Sequence, residues 1–574
     1  MMESDVTERR SALEHRHGPW TPRSLAAAFD HASDEFGERP YVIAEGGTLS
    51  YRDVRERSLT IAAGLISLGV ARGDRVALLV DNRAPYTAIK IAIARIGAIA
   101  VPLNYSYRGD EITQRLAQSG ARVLIAIDAS PATDFLEVFD RLAPGWEQGA
   151  DVAVLPELRR IVLVDNARRP AALDLAALGD GGVDRAEVET RQSSVAPDDV
   201  CDIVFTSGTT GHPLGAELTH DMVLRSAYGS AYHRAFDDGW RISFALPLYH
   251  VFGYIEGMLA AIFVGGAIAP LQVFNPKTVL RIIAEHRINE VLFVPTMTIA
   301  VVDQAVKETY DVSSLQSVFS AAAPAPVWLW ERVMSDLQPA MIFTGYGQTE
   351  VSAATALTLP GDSIETVSTV VGTTKLGGVA AEGVGFDGRL AEYRTIDPFT
   401  GEPLPAGEVG ELSVRGPQVT HGYFDNPEQT SWAIDADGWL RTGDLGRVNE
   451  QGYLELRGRS SELYKVGGEL VAPVEVERLL TGVDGVSQAY VAGVPDERFG
   501  DVGWAWVVPQ EDAALDAQTL LAHCRAHLAP FKVPRGVTFL SADQLPTTTT
   551  GKVQKYLLIR SHAEETGTSG RASA

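Results

Sequence analysis

Through its first two thirds the sequence alternates short apolar runs with amphipathic segments of helical period, and this alternation constrains the fold most tightly. RVALLV at 75–80 reads as a strand and 84–96 as a helix. GAIAVPLN follows as a turn and strand, 111–119 as a helix, and ARVLIAI as the next strand. Residues 275–286 and VLFVP at 291–295 repeat the pattern. Strand–helix–strand order requires crossover connections, so the strands run mostly parallel and helices cover both faces of the sheet. The apolar run at 251–270 carries Glu256 and several glycines, which marks a buried helix leading into a strand rather than a membrane span.

From about Gly388 the character changes. RTID, GEVGELSVRG and GYLELRG are short strands separated by Gly and Pro turns, a β-rich subdomain. Beyond Arg459 the pattern is mixed, with helices expected at 474–480 and 517–527 and a strand at QAYVAGV. A chain of 574 residues exceeds one hydrophobic core. The expected architecture is α/β: a large N-terminal domain of parallel-type sheets flanked by helices, with the β-rich subdomain, and a small α+β C-terminal domain. The boundary is placed at 458/459, and the small polar stretch from Ser561 to the last residue is expected to be disordered. No solenoid repeat is present.

Charge and cysteine content exclude several functions. Lys and Arg total 49 against 74 Asp and Glu, a formal net charge of −25, so a nucleic-acid-binding surface is not expected. The two cysteines, Cys201 and Cys524, form neither a CxxC pair nor a metal-ligand spacing. The first 17 residues are polar and lack the apolar core of a signal peptide, which points to a cytoplasmic protein without an integral membrane segment.

Five short motifs can carry chemistry. TSGTTGHPLG at 206–215 follows the strand DIVF; its glycines allow the backbone to close on a phosphate and its hydroxyls can donate to phosphate oxygens. It is not a Walker A loop, and a Gly/Thr-rich turn also serves simply as a turn. YGQTE at 346–350 offers a ring to stack on a base, a hydroxyl for a phosphate and a carboxylate for Mg²⁺. RTGDL at 441–445 places Asp444 where it can accept from ribose hydroxyls, Gly458-Arg459 leads into the C-terminal segment, and PTTTTGKV at 546–553 presents one lysine. GVGFDG at 383–388 spells GxGxxG, but without a following helix it is not a dinucleotide site.

In this order and spacing the motifs resemble the adenylate-forming superfamily of acyl-CoA synthetases, peptide-synthetase adenylation domains and luciferases. The resemblance runs from about Trp20 to about Tyr556, supported by TLSYRDV, PLYHVFG, GEVGELSVRGPQVTHGYFDNPE, GWLRTGDLG and LAPFKVP. It implies two half-reactions. A carboxylate attacks the α-phosphate of ATP to give an acyl-adenylate and pyrophosphate, and a thiol, usually coenzyme A, then displaces AMP.

By this resemblance Thr206, Ser207, Gly208, Thr209, Thr210 and Gly211 cradle phosphates, with Thr209 and Glu350 at Mg²⁺. Ala322, Ala323, Pro324, Gly345, Tyr346 and Gly347 surround the adenine, Thr349 meets the α-phosphate, and Asp444 with Arg459 holds the ribose. Lys552 bridges acyl oxygen and phosphate during adenylation. His250 separates the acyl and CoA channels, Lys465, Gly467 and Gly468 line the pantetheine tunnel, and Ser461 marks the hinge of a mobile C-terminal domain. Taken singly, each residue has a plainer role open to it. His250 fits a packed histidine beside Tyr249 and Phe252, Glu350 a helix N-terminal carboxylate, Asp444 a turn cap and Lys552 a solvated lysine.

The sequence departs from the family pattern at informative points. The loop normally reads TSGTTGxPKG, and here Leu214 stands in the lysine position. A charge-assisted hydrogen bond is worth roughly 1.5–3 kcal/mol, so its loss would slow adenylation about ten- to a hundredfold unless a neighbouring side chain replaces it. SGGAP reads SAAAP at 320–324, the hinge residue is Ser461, and Thr547 replaces the arginine of the PR pair. The resulting expectation is an acyl-CoA ligase for a hydrophobic carboxylic acid (fatty, aromatic or polycyclic), with adenylation impaired by Leu214. The alternatives are a thioesterifier fed by a separate adenylating enzyme, a ligase loading a carrier protein, an oxygen-using luciferase-like oxidase, and a non-catalytic acyl- or nucleotide-binding protein. The apolar segments 249–258, 294–300 and 320–324 favour the hydrophobic acid, and fatty-acid or natural-product metabolism is the expected setting.

Overall fold

A computed structural model describes residues 2–131, 133–149, 154–180, 182–206, 213–459, 462–466, 469–496, 498–511, 513–547 and 553–566. Two large, mostly parallel sheets dominate. One has six strands in the order Arg160–Leu163, Val123–Ala126, Arg75–Leu79, Ile99–Pro102, Val200–Phe205 and Gly215–Thr219. The other has seven, in the order Met341–Phe343, Ser317–Ser320, Glu290–Phe293, Arg241–Phe244, Ala267–Pro270, Pro40–Ala44 and Gly47–Ser50. In each sheet only the last pair is antiparallel. The expected helices are present, with bounds at Pro85–Arg95, Gly109–Ser119 and Pro276–His286. Every residue of Pro85–Arg95 after its initial proline is buried, because the helices Leu25–Phe36 and Tyr51–Ser67 and the strand Ile99–Pro102 pack around it.

The segment at 251–270 forms a π-helical stretch, Phe252–Leu259, then Ala260–Ile262 and the strand Ala267–Pro270. Gly253 is required there, since a Cβ would lie 2.8 Å from the Leu246 carbonyl oxygen. No helix among the described residues is long and apolar enough to cross a membrane. The polar N-terminal segment is a helix, Met2–His17, docked on the body: Leu13 is buried and Arg10 donates to the carbonyls of Tyr232 and His233.

The β-rich region is an antiparallel sheet of Glu392–Ile396, Gly410–Arg415, Leu440–Val448 and Leu454–Arg459. A three-stranded sheet of Gly345–Gln348, Ala353–Leu357 and Thr373–Thr374 lies beside it. The last sheet takes all its strands from residues beyond Tyr464, and Val476, Leu480, Leu520 and Cys524 belong to its separate core. The helices expected at 474–480 and 517–527 are found at Pro473–Thr481 and Ala517–His527.

One expectation is corrected. A helix, Lys555–Thr566, takes in residues 561–566 of the stretch expected to be disordered from Ser561, and 567–574 lie outside the described residues. Leu558 and His562 are buried, and the His562 ring lies 4.2 Å from that of Trp504. Composition reports a segment's average polarity and misses that one face of this helix finds an aromatic platform.

Candidate functional site

The motif at 346–350 is folded as a hairpin. Gly345–Gln348 pairs antiparallel with Ala353–Leu357, with a bulge at Tyr346/Gly347. Gly347 is held close to its partner strand, and a Cβ there would fall 1.8 Å from the Ala353 carbonyl oxygen. The hairpin turns through the 3₁₀ turn Thr349–Val351. Glu350 therefore sits in a tight turn and not at a helix N-terminus.

Asp444 and Arg459 are directly opposed on neighbouring strands of the β-rich sheet, whose edge abuts this hairpin. The Asp444 carboxylate accepts from the Tyr346 hydroxyl at 2.6 Å and from Gln348 Nε2 at 2.6 Å, both on Oδ2. Arg459 Nε lies 3.1 Å from Oδ1. Gln348 also donates to the Thr442 carbonyl. Burial and the adjacent Asp444 hold the Tyr346 phenol well above its ordinary range. Burial opposes the Arg459 charge, but Asp444, Tyr346, Glu462 and Glu350 outweigh it and raise the guanidinium further. A buried Asp with three donors is geometrically fixed, and a carboxylate has about four acceptor positions, so one remains.

Glu350 is half-buried and accepts from the Tyr423 hydroxyl at 3.1 Å. Burial raises its carboxyl, against that hydrogen bond and the charge of Arg459. No Lys or Arg forms an ion pair with it among the described residues. A half-buried carboxylate in no ion pair among the described residues has the donor chemistry that Mg²⁺ uses, since that ion takes one or two carboxylates and completes its shell with phosphates and water. Thr349 is almost fully buried in the same turn.

The phosphate-loop motif is described only at its stem. Thr206 N and Oγ1 both donate to the Leu214 carbonyl, closing the hairpin of Val200–Phe205 and Gly215–Thr219. Ser207, Gly208, Thr209, Thr210 and Gly211 lie outside the described residues. One segment ties this stem to Glu350: Thr420 N donates to the Glu350 carbonyl, Thr420 Oγ1 to that of Glu217, and Phe424 N to that of Gly215. Leu214 brings no charge, but Arg115 stands against the stem 5.4 Å over the Phe205 ring, and its partner Gln118 donates to the Pro213 carbonyl.

His250 is half-buried; its Nδ1 accepts from Phe252 N, and burial holds the imidazole down at about 4, hence neutral. The three apolar segments converge. The Phe252 and Phe319 rings meet edge-on at 5.1 Å, and Thr298 Oγ1 lies 2.8 Å from Ser320 Oγ. Ala322, Ala323 and Pro324 are exposed beside them, and Ala322 adopts φ 72°, a conformation that favours the glycine it replaces.

The C-terminal residues are distributed differently. Lys465 is exposed on the hairpin Tyr464–Val466/Glu469–Val471, while Ser461, Gly467 and Gly468 lie outside the described residues. Lys552 does too, although its loop is closed at the base by an antiparallel bridge between Thr547 and Val553. Sequence reasoning missed Gln348, Tyr423 and Thr420. Gln348 lay inside a quoted motif, and its role depends on partners 94 and 96 residues away.

These features bring a cross-linked polar cluster beside an apolar wall, and comparison with known proteins shows the family. The AMP-binding enzyme family model matches residues 29–424, and the AMP-binding enzyme C-terminal domain model matches residues 475–552. A (7a-methyl-1,5-dioxo-octahydro-1H-inden-4-yl)propanoyl:CoA ligase of Mycobacterium tuberculosis is 37% identical over 93% of this chain and 98% of its own. A feruloyl-CoA synthase of Amycolatopsis is 34% identical over 89% and 94%. The ATP-bound MatB structure from Rhodopseudomonas palustris superposes with a TM-score of 0.76 at 25% identity, covering 94% of this chain and 99% of that one. The chain belongs to the adenylate-forming superfamily of AMP-binding enzymes. Within it, the protein is an acyl-CoA ligase, an AMP-forming acid–thiol ligase that uses ATP and CoA and passes through an acyl-adenylate.

Proposed function

We propose that this ligase activates a hydrophobic, ring-bearing carboxylic acid, carries out both half-reactions itself, and hands the acyl group to CoA. The observation that carries the reading is the hydrogen-bonded set of buried Tyr346 and Asp444 with Gln348 and Arg459, beside the half-buried carboxylate of Glu350. Tyr346 packs against adenine, with Gly345, Gly347, Ala322, Ala323 and Pro324 completing that pocket. Asp444 uses its remaining acceptor position for a ribose hydroxyl, and Arg459 pairs with its other oxygen. Thr206 to Gly211 hold the phosphates, and Thr349 orients the α-phosphate. Mg²⁺, held by Glu350 and Thr209, neutralises phosphate charge when bound.

In the first half-reaction the acid carboxylate attacks the α-phosphorus, the bond to the bridging oxygen breaks, and pyrophosphate leaves. Lys552 stabilises the charge that develops between acyl and phosphate oxygens. In the second, the CoA thiol adds to the acyl carbonyl and AMP departs with its phosphate oxygen. His250, neutral because it is buried, forms the partition between acyl and thiol channels. Residues 459–574 act as a lid hinged near Ser461, bringing Lys552 for adenylation and Lys465, Gly467 and Gly468 for the thiol.

The converging segments around Phe252, Phe319 and Thr298 supply an apolar wall. The similarity to a ligase for a bicyclic propanoyl group supports a polycyclic or aromatic acid over a short polar one. Arg115 supplies positive charge at the loop stem that Leu214 does not. The cytoplasm is the setting that fits ATP and CoA as substrates.

A second reading rests on Leu214: adenylation is lost and a separate enzyme provides the adenylate. The comparisons lend that partner no support. Two parallel assays with a panel of ring-bearing acids separate the readings. One supplies acid, ATP, Mg²⁺ and CoA; the other supplies synthetic acyl-adenylate and CoA. Thioester in both establishes the complete ligase, whereas thioester only from the adenylate establishes the second reading.

A further inference from the structure

Behind the nucleotide hairpin lies a cluster of charges that none of the motifs contains. Arg234, Glu256, Glu290 and Lys375 are each 0% exposed. Arg234 Nη1 lies 3.1 Å from Glu256 Oε2, and its Nε lies 3.6 Å from Glu290 Oε1. Lys375 Nζ lies 3.5 Å from Glu256 Oε1 and donates to Ser226 Oγ at 2.8 Å and Ser230 Oγ at 3.0 Å. Ser317 Oγ donates to Glu290 at 2.6 Å. Burying two cations and two carboxylates costs several kcal/mol per ion before pairing, and apolar side chains of the same volume often serve stability as well or better. Stability alone gives little reason for this arrangement.

Its contacts point toward the site. Glu256 Oε1 accepts from Ala354 N at 3.1 Å, and Ser226 Oγ, itself bonded by Lys375, donates to the Ser352 carbonyl. These two groups flank Ala353. Ser352 and Ala353 adopt φ 53° and 75°, consecutive positive-φ conformations that non-glycine residues rarely take up. This kinked pair directly follows the turn bearing Thr349 and Glu350, and Gln348 and Gly347 pair with Ala353 and Ala354 across the hairpin. The kink therefore sets both the path of the Glu350 turn and the approach of Gly347 to Ala353.

We propose that Glu256, Lys375 and Ser226 are positioning residues for adenylation: through the Ser352 carbonyl and the Ala354 amide they hold the kink that orients Tyr346, Thr349 and Glu350. None of the three touches the nucleotide. The inference rests on the reading of the 346–350 hairpin as the nucleotide wall.

The test uses the full-length protein with four variants: Tyr346→Ala as the site control, Glu256→Gln, Ser226→Ala, and Val162→Ala as a core control in the far edge strand. Ser226→Ala removes one hydroxyl while leaving Lys375 its Glu256 partner, so it keeps the proposal testable should Glu256→Gln fail to fold. AMP affinity is measured by calorimetry without Mg²⁺, ATP–pyrophosphate exchange gives kcat and KM, thioesterification is followed from synthetic adenylate, and Tm is recorded for each. The expected result is a ten- to hundredfold loss in AMP affinity and exchange kcat for Ser226→Ala and Glu256→Gln. KM for CoA stays unchanged, and Val162→Ala lowers Tm without moving AMP affinity. AMP affinity and exchange kcat within twofold of wild type in both variants, with only Tm lowered, would overturn the positioning role. Unchanged AMP affinity in Tyr346→Ala would overturn the hairpin reading itself, and the positioning role with it.

Discussion

The proposed nucleotide wall and the described stems of the two proposed chemistry-bearing loops are tied in different ways. In the wall, the buried Asp444 carboxylate gathers Tyr346, Gln348 and Arg459 through side chains. The stems of the phosphate loop and the lysine loop are joined through the backbone, by Thr206 to Leu214 and by Thr547 to Val553. On the proposed reading the cross-linked side chains receive adenine and ribose, and a fixed pocket spares the cost of ordering side chains on binding.

The strongest test of this contrast is Asp444→Ala. It leaves the buried Tyr346 hydroxyl, Gln348 amide and Arg459 guanidinium without their common acceptor, and AMP affinity is expected to fall about a hundredfold, at roughly 1.5–3 kcal/mol for a charge-assisted bond. A calorimetric titration within twofold of wild type breaks the picture of a preassembled wall. Leu214→Lys probes the loop side. If Arg115 does not fully replace the missing lysine, ATP–pyrophosphate exchange rises about tenfold or more, while AMP affinity, which involves no leaving phosphates, stays constant. An equal rise in both would erase the distinction between wall and loop.

Acid should act first on the body that carries the wall. Burial holds His17, His220 and His250 at about 4 and His233 at about 3, all below the ordinary 6.5. The unfolded chain therefore takes up protons from pH 6.5 downward while the folded body does not. The stability these groups contribute is complete above pH 6.5 and is lost as pH falls toward 4. Glu290, raised by burial to about 7, works in the other sense: its burial cost shrinks as pH falls from about 7 toward 4.5. Glu350 and Glu217 are raised by burial in the same sense as Glu290, but the four strongly lowered imidazoles outweigh these carboxyls, so Tm should drop over pH 6.5–4. A flat Tm across that range would show that these histidines are not buried neutral. The smallest effect is expected at Ala322, whose φ of 72° strains an alanine. Ala322→Gly should add about 1 kcal/mol or less and raise Tm by no more than about 2 °C in a scanning experiment.

Much of this molecule is legible in its residues. Strand–helix alternation gave the two parallel sheets, and Gly- and Pro-punctuated strands gave the β-rich sheet, because both depend on local periodicity. The ordered motifs brought Tyr346, Asp444 and Arg459 to notice, and the structure joins them. Residues 561–566 are helical rather than disordered, because burial of Leu558 and His562 is set by Trp504, more than fifty residues earlier.

What the sequence by itself determined is the family and the layered fold, both of which are written in short windows of adjacent residues. Only the tertiary structure decided how the motifs are held. Gln348 reaches Asp444 across 96 positions, Glu256 reaches Ala354 across 98, and Lys375 reaches Ser226 across 149. A hydrogen bond or ion pair depends on separation in space, and at such sequence distances the residues carry no local pattern that would announce it.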